Sequence, residues 1–391
     1  MAERWILQFC HSHYGPFLDV ARQYSALFAD GRYKVLTVYL TGAASEAVRA
    51  GSGGDEVIFL GYASSAVRGL KLDAILALRK IVAGREIALI IAHRFKPIYI
   101  ACLATRLPVI GVHHAFGDFD RWQRRRFVDL FKKRLALLGV SDAVRDDVRK
   151  RLAYWPLERI ETLHNRLDVD KSLAAVVPRA QARDRVGLPP EVYVIGNVGR
   201  LHPDKDQETL ISGFAGALPR LPAGSLLAIA GSGPLESKLK SLSNRLGIAD
   251  SVRFLGQVPE ARTLFSAFDL FVLSSDCEPF GMVLLEAMAA GVPVMATACG
   301  GAPEIVERKD MLFELRDAQQ LARLLIQFCV GYDQRTRTEI AAQGLCRLRE
   351  AFSDEVARRR FFFLPMIRSA LGLGELPDSS RNGIAVIDRP G

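Results

Sequence analysis

The chain has 391 residues, of which 49% are hydrophobic and 24% charged, with a formal net charge of +9 and six cysteines. This length predicts two domains of roughly 150–200 residues, and the wide separation of the cysteines excludes a paired zinc or dithiol motif. The positive charge favours a polyanionic partner without choosing among anionic lipid, nucleic acid and phosphorylated substrates. The first predicted element is a strand at Trp5–Phe9. Because Glu3 and Arg4 precede this short apolar run, we expect no signal peptide and a cytoplasmic protein.

Short apolar runs rich in β-forming residues alternate with amphipathic stretches along the first half of the chain. The predicted strands are Trp5–Phe9, Lys34–Leu40, Ala88–His93, Pro108–His114 and Leu135–Ser141. Apolar residues at helical spacing over Phe17–Phe28 and Leu70–Val82 predict helices between some of these strands. Such alternation is typical of a parallel sheet covered by helices, so the first half is predicted to be a doubly wound α/β domain.

The segment Arg121–Arg134, before the last of these strands, carries seven Lys and Arg residues against one Asp. It also contains Trp122, Phe127 and Phe131, and we predict an amphipathic basic helix. Two interpretations stay open. Its hydrophobic residues would enter a bilayer while the cations meet anionic lipid, or its aromatic residues would pack inside the domain and leave a solvated basic face.

A polar connector follows Ile160, and the alternation of strands and helices then begins again. The predicted strands of the second half are Tyr193–Arg200, Leu226–Gly233, Val252–Val258, Leu270–Ser275 and Val292–Thr297. We therefore expect an N-terminal domain over residues 1–168 and a second α/β domain over residues 169–353. An Arg-rich helix is predicted over residues 354–371, packing back on the first domain, and the polar residues 372–391 are expected to be mobile.

Two carboxylates eight positions apart, Glu278 and Glu286, flank a predicted helix start near Phe280 or Gly281. Free backbone N–H groups at such a start can hold phosphate. Glu286 would lie roughly 7–8 Å along the helix axis, about the reach from a diphosphate to a ribose. Glu278 would then face the transferred group. From the spacing alone, two structural glutamates are the preferred interpretation.

A second group of candidate residues follows the first predicted strand of the second half. Gly199 would let the backbone approach a ligand, and Arg200 and Lys205 would place two cations at the carboxyl end of the strand, where α/β folds bind ligands. A leaving diphosphate needs such charge neutralisation. Gly231, in the turn GSGP, allows another close approach, but the GxGxxG spacing of dinucleotide-binding proteins is absent. Two solvated loop cations are the alternative.

Five motifs occur in order along the second half: GRLxxxK, GSGP, FLGxV, ExFGxxxxE and GGxPEIV. Over Asn165–Val306 the chain thereby resembles glycosyltransferase family 4. The resemblance implies a GT-B fold, in which two Rossmann-like domains with parallel sheets face a cleft and the second domain binds a nucleotide-sugar. It also implies that the transferred sugar keeps its anomeric configuration and that no catalytic metal is required.

The resemblance implies a role for each matching residue. Arg200 and Lys205 would hold the donor diphosphate, Glu278 would contact the sugar and Glu286 would bind the ribose. The implied donor-binding residues are Gly199, Arg200, Lys205, Gly231, Gln257, Val258, Glu278, Phe280, Gly281, Met282, Val283 and Glu286. Because no carboxylate is placed as a covalent nucleophile, we expect front-face substitution, in which the departing diphosphate takes the proton of the acceptor hydroxyl.

The first domain resembles the family less closely. His13 and Gly15 lie in the first predicted strand-to-helix turn, where family members often have a glycine-rich loop. Acceptor contacts by His11 and His13 are therefore one interpretation, and helix-capping or solvated histidines are the other. His113 and His114 close a predicted strand, at a position where a family histidine approaches the transferred sugar. We expect His114 to be that residue; the alternative is a buried, hydrogen-bonded His113 beside an exposed His114.

The expected catalytic residues are Glu278, His114, Arg200 and Lys205. The turn Asn165–Asp168 matches an Asn-Gly-x-Asp turn of the family, but Arg166 stands where the glycine is usual. Three Asp-x-Asp strings resemble the metal motif of the other glycosyltransferase fold. They are Asp118–Asp120, Asp168–Asp170 and Asp204–Asp206. Each has a competing explanation, and we predict neither a metal nor another cofactor.

The predicted function is transfer of a hexosyl or N-acetylhexosaminyl group from a nucleotide-sugar, with a UDP-sugar favoured. The expected acceptor is a lipopolysaccharide core or a related glycan or glycolipid, and the expected location is the cytoplasm, with contact to the inner face of the cytoplasmic membrane left open. One alternative is a nucleotide-sugar epimerase or hydrolase, which would act on the donor without an acceptor. The other is a nucleic-acid-binding protein that uses Arg121–Arg134.

Overall fold

The computed structural model describes residues 3–15 and 17–374 of the chain. By their contacts, the described residues form two compact units, one made of residues 3–164 and 355–374 and the other of residues 165–354. The predicted boundary after Asp168 lies a few residues beyond this division. Residues 375–391, which include most of the tail expected to be mobile, lie outside the described residues.

The first unit is built on a parallel sheet. Its strands are β1 (Arg4–Cys10), β2 (Lys34–Thr41), β3 (Glu56–Tyr62), β4 (Glu86–His93), β5 (Val109–His113), β6 (Leu135–Gly139) and β7 (Ile160–Thr162). The helices between them are α1 (Phe17–Ala26), α2 (Glu46–Gly51), α3 (Leu72–Ala83), α4 (Phe95–Ala104), α5 (Trp122–Leu130) and α6 (Asp142–Arg151). In the described residues, seven strands lie in the order β3-β2-β1-β4-β5-β6-β7, and all neighbouring pairs are parallel.

The second unit repeats this plan. Its strands are β8 (Val194–Val198), β9 (Leu226–Ala230), β10 (Val252–Gly256), β11 (Leu270–Leu273), β12 (Val294–Thr297) and β13 (Leu312–Phe313). Its helices are α7 (Val169–Ala175), α8 (Arg179–Arg185), α9 (Gln207–Ala217), α10 (Glu236–Arg245), α11 (Met282–Ala289), α12 (Ala302–Ile305), α13 (Ala318–Ile326) and α14 (Gln334–Ala351). Within the described residues, the strand order is β10-β9-β8-β11-β12-β13, again with parallel neighbours. Two doubly wound parallel sheets, as predicted from the sequence, are therefore confirmed.

The strand order of each sheet reverses at its first strand. In the first unit β2 and β4 flank β1, and in the second unit β9 and β11 flank β8. Loops diverge at the carboxyl ends of such strand pairs and leave a crevice where doubly wound folds bind ligands. His11 and Arg94 follow β1 and β4, whereas Gly199 and Ser274 follow β8 and β11. These are the places where the candidate residues of each unit collect.

The C-terminal helix differs from its prediction. Two helices, α15 (Asp354–Phe363) and α16 (Pro365–Leu371), replace the single helix predicted over residues 354–371. Pro365 has no backbone N–H and suits the first position of a helix, so the chain breaks at Leu364 and starts α16 with the proline. The ring of Phe361 packs against Phe28 at 5.7 Å, and both belong to the first unit.

The side chain of Arg166 explains how the turn Asn165–Asp168 is held without the glycine that is usual in the family. This side chain is 1% exposed, and its Nε donates to Asp354 Oδ1 at 2.9 Å. The neighbouring Leu167 pairs with Ser353, so the turn and the end of the second unit are held side by side. Arg166 does not adopt a left-handed conformation, so the turn does not depend on the glycine that is usual at this position.

Replacing Asp354 by Ala should destabilise the second unit by about 3 kcal/mol, because it removes the carboxylate that pairs with the buried guanidinium group of Arg166. Urea unfolding followed by circular dichroism measures the change. The neighbouring carboxylate Glu355 is exposed, so Glu355→Ala is the matched control and should stay within about 0.5 kcal/mol of the wild type. Equal stability of the two variants would contradict a stabilising role for the Arg166–Asp354 pair.

Candidate functional site

Helix α11 starts where the sequence predicts a phosphate-binding helix start. Gly281 is its N-cap, with φ of 110°, a left-handed conformation that glycine adopts most readily. The ring of Phe280 is buried and packs against Phe352 at 5.7 Å, which holds the residue before the cap. The first N–H groups of a helix have no acceptor within that helix, so Met282 and Val283 can offer theirs to an anion.

The carboxylate of Glu278 lies just before this helix and is 7% exposed. Its Oε2 accepts hydrogen bonds from Lys205 Nζ at 2.7 Å and from Ser275 Oγ at 3.0 Å. Lys205 comes this close because β8 and β11, which precede the two loops, are neighbours in the sheet. Among the described residues, Glu278 Oε1 has no hydrogen-bond partner. This oxygen is therefore left to meet a ligand.

Lys205 is held in place through its own backbone. It ends a short 3₁₀ turn, Pro203–Lys205, and Ser274 Oγ donates to its carbonyl oxygen at 2.9 Å. Asp206 follows in a left-handed conformation, with φ of 41°, and its carboxylate caps α9. This turn therefore places the ammonium group of Lys205 next to Glu278, in the loop before α11.

Arg200, the second predicted cation, takes a different direction. Its guanidinium group is 70% exposed and pairs with Asp204 at 3.1 Å, while His202 contacts the other oxygen of the same carboxylate at 2.5 Å. Gln207 Nε2 donates to the backbone carbonyl of Arg200 at 3.0 Å. The structure therefore brings Lys205, but not the side chain of Arg200, to Glu278. The predicted joint role of the two cations stays a prediction.

The turns that contain Gly199 and Gly231 pack against each other through their backbones. A Cβ atom on Gly231 would lie 1.9 Å from the carbonyl oxygen of Gly199, and Gly231 has φ of 143°. The N–H of Gly231 donates to the carbonyl of Gly256 at 2.7 Å, next to Gln257 and Val258. A Cβ on Gly199, by contrast, would have no neighbour closer than 3.9 Å. Gly231 is required by the fold, whereas a Cβ on Gly199 would make only ordinary contacts with the side chains of Lys205 and Gln207.

Gly231→Ala should therefore cost about 3 kcal/mol or more, because it combines a backbone clash with a conformation that side chains rarely adopt. The matched variant Gly199→Ala should fold with nearly wild-type stability and instead lower the affinity for a nucleotide whose phosphates approach this loop. Thermal unfolding and nucleotide titration of both variants separate the two effects. A stable Gly231→Ala protein would contradict the close packing of the turns.

Glu286 is half-buried on α11, about 6 Å along the helix axis from Met282. Sequence reasoning missed two residues on the other side of the helix start. Ser275 donates to Glu278, and Cys299 Sγ donates to the carbonyl of Ser275 at 3.1 Å. Burial raises the pKa of the Cys299 thiol to about 11, so it stays neutral. Ser275 is the second of two serines that follow the apolar run of β11, and this pair of hydroxyl residues at a strand end is the signal that could have identified it.

In the first unit, the two adjacent histidines have different environments. His113 is fully buried, and its Nδ1 lies 2.7 Å from Asp118 Oδ2. Burial acts to raise the pKa of Asp118, but the hydrogen bond with His113 and the nearby Arg124 outweigh it and lower this pKa. His114 is half-buried, and its Nε2 lies 3.2 Å from His93 Nδ1. The structure thus shows the buried, paired His113 of the alternative interpretation, next to a His114 that stays partly accessible.

His13 occupies a structural position. Its Nε2 lies 3.0 Å from the carbonyl of Ala43, and its ring packs against Tyr14 at 4.6 Å and Tyr39 at 5.5 Å. Gly15 adopts φ of 60° in the turn before α1. These contacts occupy the Nε2 atom of His13, so the expected acceptor role of His13 and Gly15 stays a prediction.

Sequence reasoning did not single out Arg94, the residue that follows β4. It has φ of 74° and ψ of 163°, a region that favours glycine. Burial lowers the pKa of the neighbouring His11 to about 4, with further contributions from the charges of Arg94 and Lys96. The carboxyl edge of the first sheet therefore places His11, whose pKa is lowered, next to the cations Arg94 and Lys96.

The basic segment is only partly helical. Helix α5 ends at Leu130, so the predicted helix over Arg121–Arg134 extends four residues beyond the observed end. The chain turns there because Arg134 points inward and donates to the carbonyl of Leu107 at 2.9 Å, and β6 follows at once. Among the hydrophobic residues, Phe127 and Phe131 pack on the core of the first unit. Trp122 and Leu130 are 60% and 80% exposed.

The Asp-x-Asp strings have protein partners. Asp118 pairs with His113 and Arg124. Asp168 caps α7, and Asp206 caps α9. These contacts account for the strings without a metal, and the absence of a catalytic metal stays a prediction. In the part of the chain described, no helix is both long and apolar enough to cross a membrane.

Two family models match the chain: "Glycosyltransferase Family 4" over residues 20–171 and "Glycosyl transferases group 1" over residues 178–344. The lipopolysaccharide core biosynthesis mannosyltransferase LpsB of Rhizobium meliloti is 30% identical over 232 residues, which are 57% of this chain and 65% of that relative. The matched region thus spans less than two thirds of its length.

Solved structures share the fold. A glycosyltransferase from Rickettsia africae superposes with a TM-score of 0.81 at 16% identity, over 95% of this chain and 100% of that one. Anabaena Alr3699/HepE in complex with UDP superposes with a TM-score of 0.75 at 22% identity, over 91% and 98%. With the two parallel sheets, these likenesses confirm the predicted GT-B fold class.

Proposed function

The chain belongs to glycosyltransferase family 4, and from this premise we propose that it transfers a hexosyl or N-acetylhexosaminyl group from a nucleotide-sugar to a glycan or glycolipid with retention of configuration. The observation that carries the proposal is the contact of Lys205 with Glu278 directly before α11. It joins a cation, a carboxylate with one oxygen left for a ligand, and a helix start with free donors. These are the groups needed by a sugar bound to a diphosphate.

Each part of the donor has a proposed partner. The diphosphate lies against the N–H groups of Met282 and Val283 and the ammonium group of Lys205, since both supply positive potential. Glu278 Oε1 accepts a hydrogen bond from a sugar hydroxyl, and Glu286 accepts hydrogen bonds from the ribose. Because Gly199 has no side chain, the phosphates can approach the backbone next to Lys205. Arg200, whose exposed side chain can turn, adds a second cation when the donor binds.

The proposed reaction is a front-face substitution. The acceptor oxygen forms a bond to the anomeric carbon on the same face from which the diphosphate leaves, and the proton of the acceptor hydroxyl passes to the departing diphosphate oxygen. Lys205 and the start of α11 stabilise the charge that develops on this leaving group. Glu278 orients the sugar through a hydroxyl group. In this proposal no metal ion is needed, because protein groups neutralise the diphosphate.

A UDP-sugar is the favoured donor, supported by the UDP complex of the Anabaena protein. A lipopolysaccharide core is the favoured acceptor, supported by the function of LpsB, whose own activity as a mannosyltransferase also makes a mannosyl donor worth testing. The location proposed for this reaction is the cytoplasm, where nucleotide-sugars are made.

Release of nucleoside diphosphate tests the proposal. The protein is incubated with UDP-glucose, UDP-N-acetylglucosamine or GDP-mannose, each with and without de-acylated lipopolysaccharide core oligosaccharide. We expect release with at least one donor, dependent on the acceptor, and a product of increased mass. Release or epimerisation with the donor alone would favour the hydrolase or epimerase alternative. No reaction with any donor by a folded protein would reject this choice of donors and acceptor.

We further propose that the exposed face of α5 contacts an anionic membrane surface. Trp122 and Leu130 are exposed, as are Arg126 and the following Lys132 and Lys133. Exposed apolar side chains at both ends of a helix that also carries exposed cations suit the boundary of an anionic bilayer. Sedimentation with phosphatidylglycerol vesicles should therefore capture the wild type, and Trp122→Ala/Leu130→Ala should weaken the capture. Equal capture of both proteins would reject the proposal.

A further inference from the structure

A row of buried polar side chains runs from the centre of the first sheet to His114. His114 Nε2 lies 3.2 Å from His93 Nδ1, and His93 Nε2 lies 3.3 Å from Gln8 Oε1. Gln8 Nε2 in turn donates to the carbonyl of Ala21 at 3.1 Å and to Thr37 Oγ1 at 3.0 Å. Gln8 and His93 are each 1% exposed, so water does not replace these partners.

The direction of every hydrogen bond in this row follows from its inner end. The carbonyl of Ala21 can only accept, so the amide nitrogen of Gln8 must face it, and Gln8 Oε1 must face His93. An amide oxygen can only accept as well, so His93 Nε2 carries a proton. In a neutral ring His93 Nδ1 is then an acceptor, and His114 Nε2 must carry the proton between the two rings. The remaining nitrogen of a neutral His114, Nδ1, holds a lone pair.

Both rings are held neutral by their surroundings. Burial lowers the pKa of His114 to about 3, and the charges of His113 and Arg94 add to this effect while Asp118 opposes it. Burial also lowers the pKa of His93 well below its usual value. The ring of Tyr24 packs edge-on against His93 at 4.7 Å, and Phe17 packs in the same manner against His114 at 5.9 Å. These contacts hold the two imidazoles in place.

We propose that His114 presents an unprotonated Nδ1 to its ligand and therefore accepts a hydrogen bond from a hydroxyl group, and that His93 and Gln8 are positioning residues that fix this tautomer. The proposal rests on the proposed function in one respect, which is that the hydroxyl belongs to a sugar. A ligand that offers only an acceptor atom, such as a carbonyl or an ether oxygen, would meet lone pair against lone pair. His114 therefore favours ligands that offer a hydroxyl group to its Nδ1 atom.

Long-range ¹H–¹⁵N correlation spectra of the histidine-labelled wild type test the tautomer directly, with each signal assigned from single histidine variants. We expect His93 and His114 both to be protonated at Nε2 and unprotonated at Nδ1, and to stay so at mildly acidic pH. A His114 protonated at Nδ1, or charged at neutral pH, would overturn the proposal. Because no substrate is present, this result does not depend on whether the protein transfers a sugar.

Gln8→Glu tests the positioning role. A carboxylate would stabilise a doubly protonated His93, whose Nδ1–H would then donate to His114 Nε2 and leave the proton of His114 on Nδ1. We expect this inversion in the spectrum, together with a lower kcat/KM in any transfer assay that the wild type supports. A folded Gln8→Glu protein with an unchanged His114 signal would remove Gln8 from the proposed role. If this variant does not fold, the wild-type spectrum still decides the tautomer.

Discussion

Replacing Glu278 by Gln is expected to lower turnover by about a hundredfold or more while leaving nucleotide affinity nearly unchanged. Glutamine keeps the size of the side chain and can still accept from Lys205, but it loses the charge that orients a sugar hydroxyl, and small errors in orientation cost this much in rate. Glu278 touches the sugar in our account and not the nucleotide. Steady-state kinetics and a titration with UDP measure the two effects separately.

A matched control is Glu307→Gln. Glu307 is also in the second unit, and it is exposed and pairs with Arg347 at 2.9 Å. This variant should show wild-type turnover. Wild-type turnover in Glu278→Gln would remove Glu278 from the site. An equal loss of nucleotide affinity and turnover would show that Glu278 supports the phosphate region rather than the sugar.

Lys205→Met is expected to weaken both donor binding and turnover, with turnover falling by about 10²–10³-fold. The ammonium group neutralises the diphosphate most strongly when the bond to the sugar breaks, so its removal raises the barrier more than it weakens the ground state. It also leaves the buried carboxylate of Glu278 with Ser275 as its remaining hydrogen-bond donor. The loss of diphosphate neutralisation and the loss of a donor to Glu278 are both expected to lower turnover.

The control for this variant is Lys238→Met, which removes a lysine that pairs with Glu208 on the surface of the second unit. It should leave kinetics unchanged. Thermal unfolding of Lys205→Met separates a local effect from loss of the fold. Lys205→Arg should recover only part of the activity, because the planar guanidinium cannot replace a compact ammonium group in this contact. Full activity of a folded Lys205→Met protein would contradict the assigned role.

Local patterns in the sequence predict much of the fold. Apolar runs of strand length alternate with amphipathic stretches, and this alone predicts parallel sheets in both halves. The start of α11 was also predictable, because Pro279, Phe280 and Gly281 precede an apolar run of helical length. The strand β3 was missed, since its apolar run is only four residues long, between Glu56 and Gly61, and lies at an edge of the sheet.

The contacts of the site depend on distant parts of the chain and could not be predicted from spacing. Lys205 and Glu278 meet because their strands are neighbours, whereas Arg200, only a few residues away, turns to Asp204. His93 ends an apolar run and has the pattern of a core residue, and only the structure places its ring against His114. Arg166 is similar, because a charged residue is buried only where a partner such as Asp354 is supplied by the fold.

The most direct test of a nucleotide site at α11 is a calorimetric titration of the wild type and Glu286→Gln with UDP, GDP and ADP. We predict that UDP binds to the wild type and that Glu286→Gln weakens this binding by about tenfold, the loss expected for hydrogen bonds to a charged group. The contradicting result is a folded wild-type protein that binds none of the three nucleotides, or a Glu286→Gln variant with unchanged affinity.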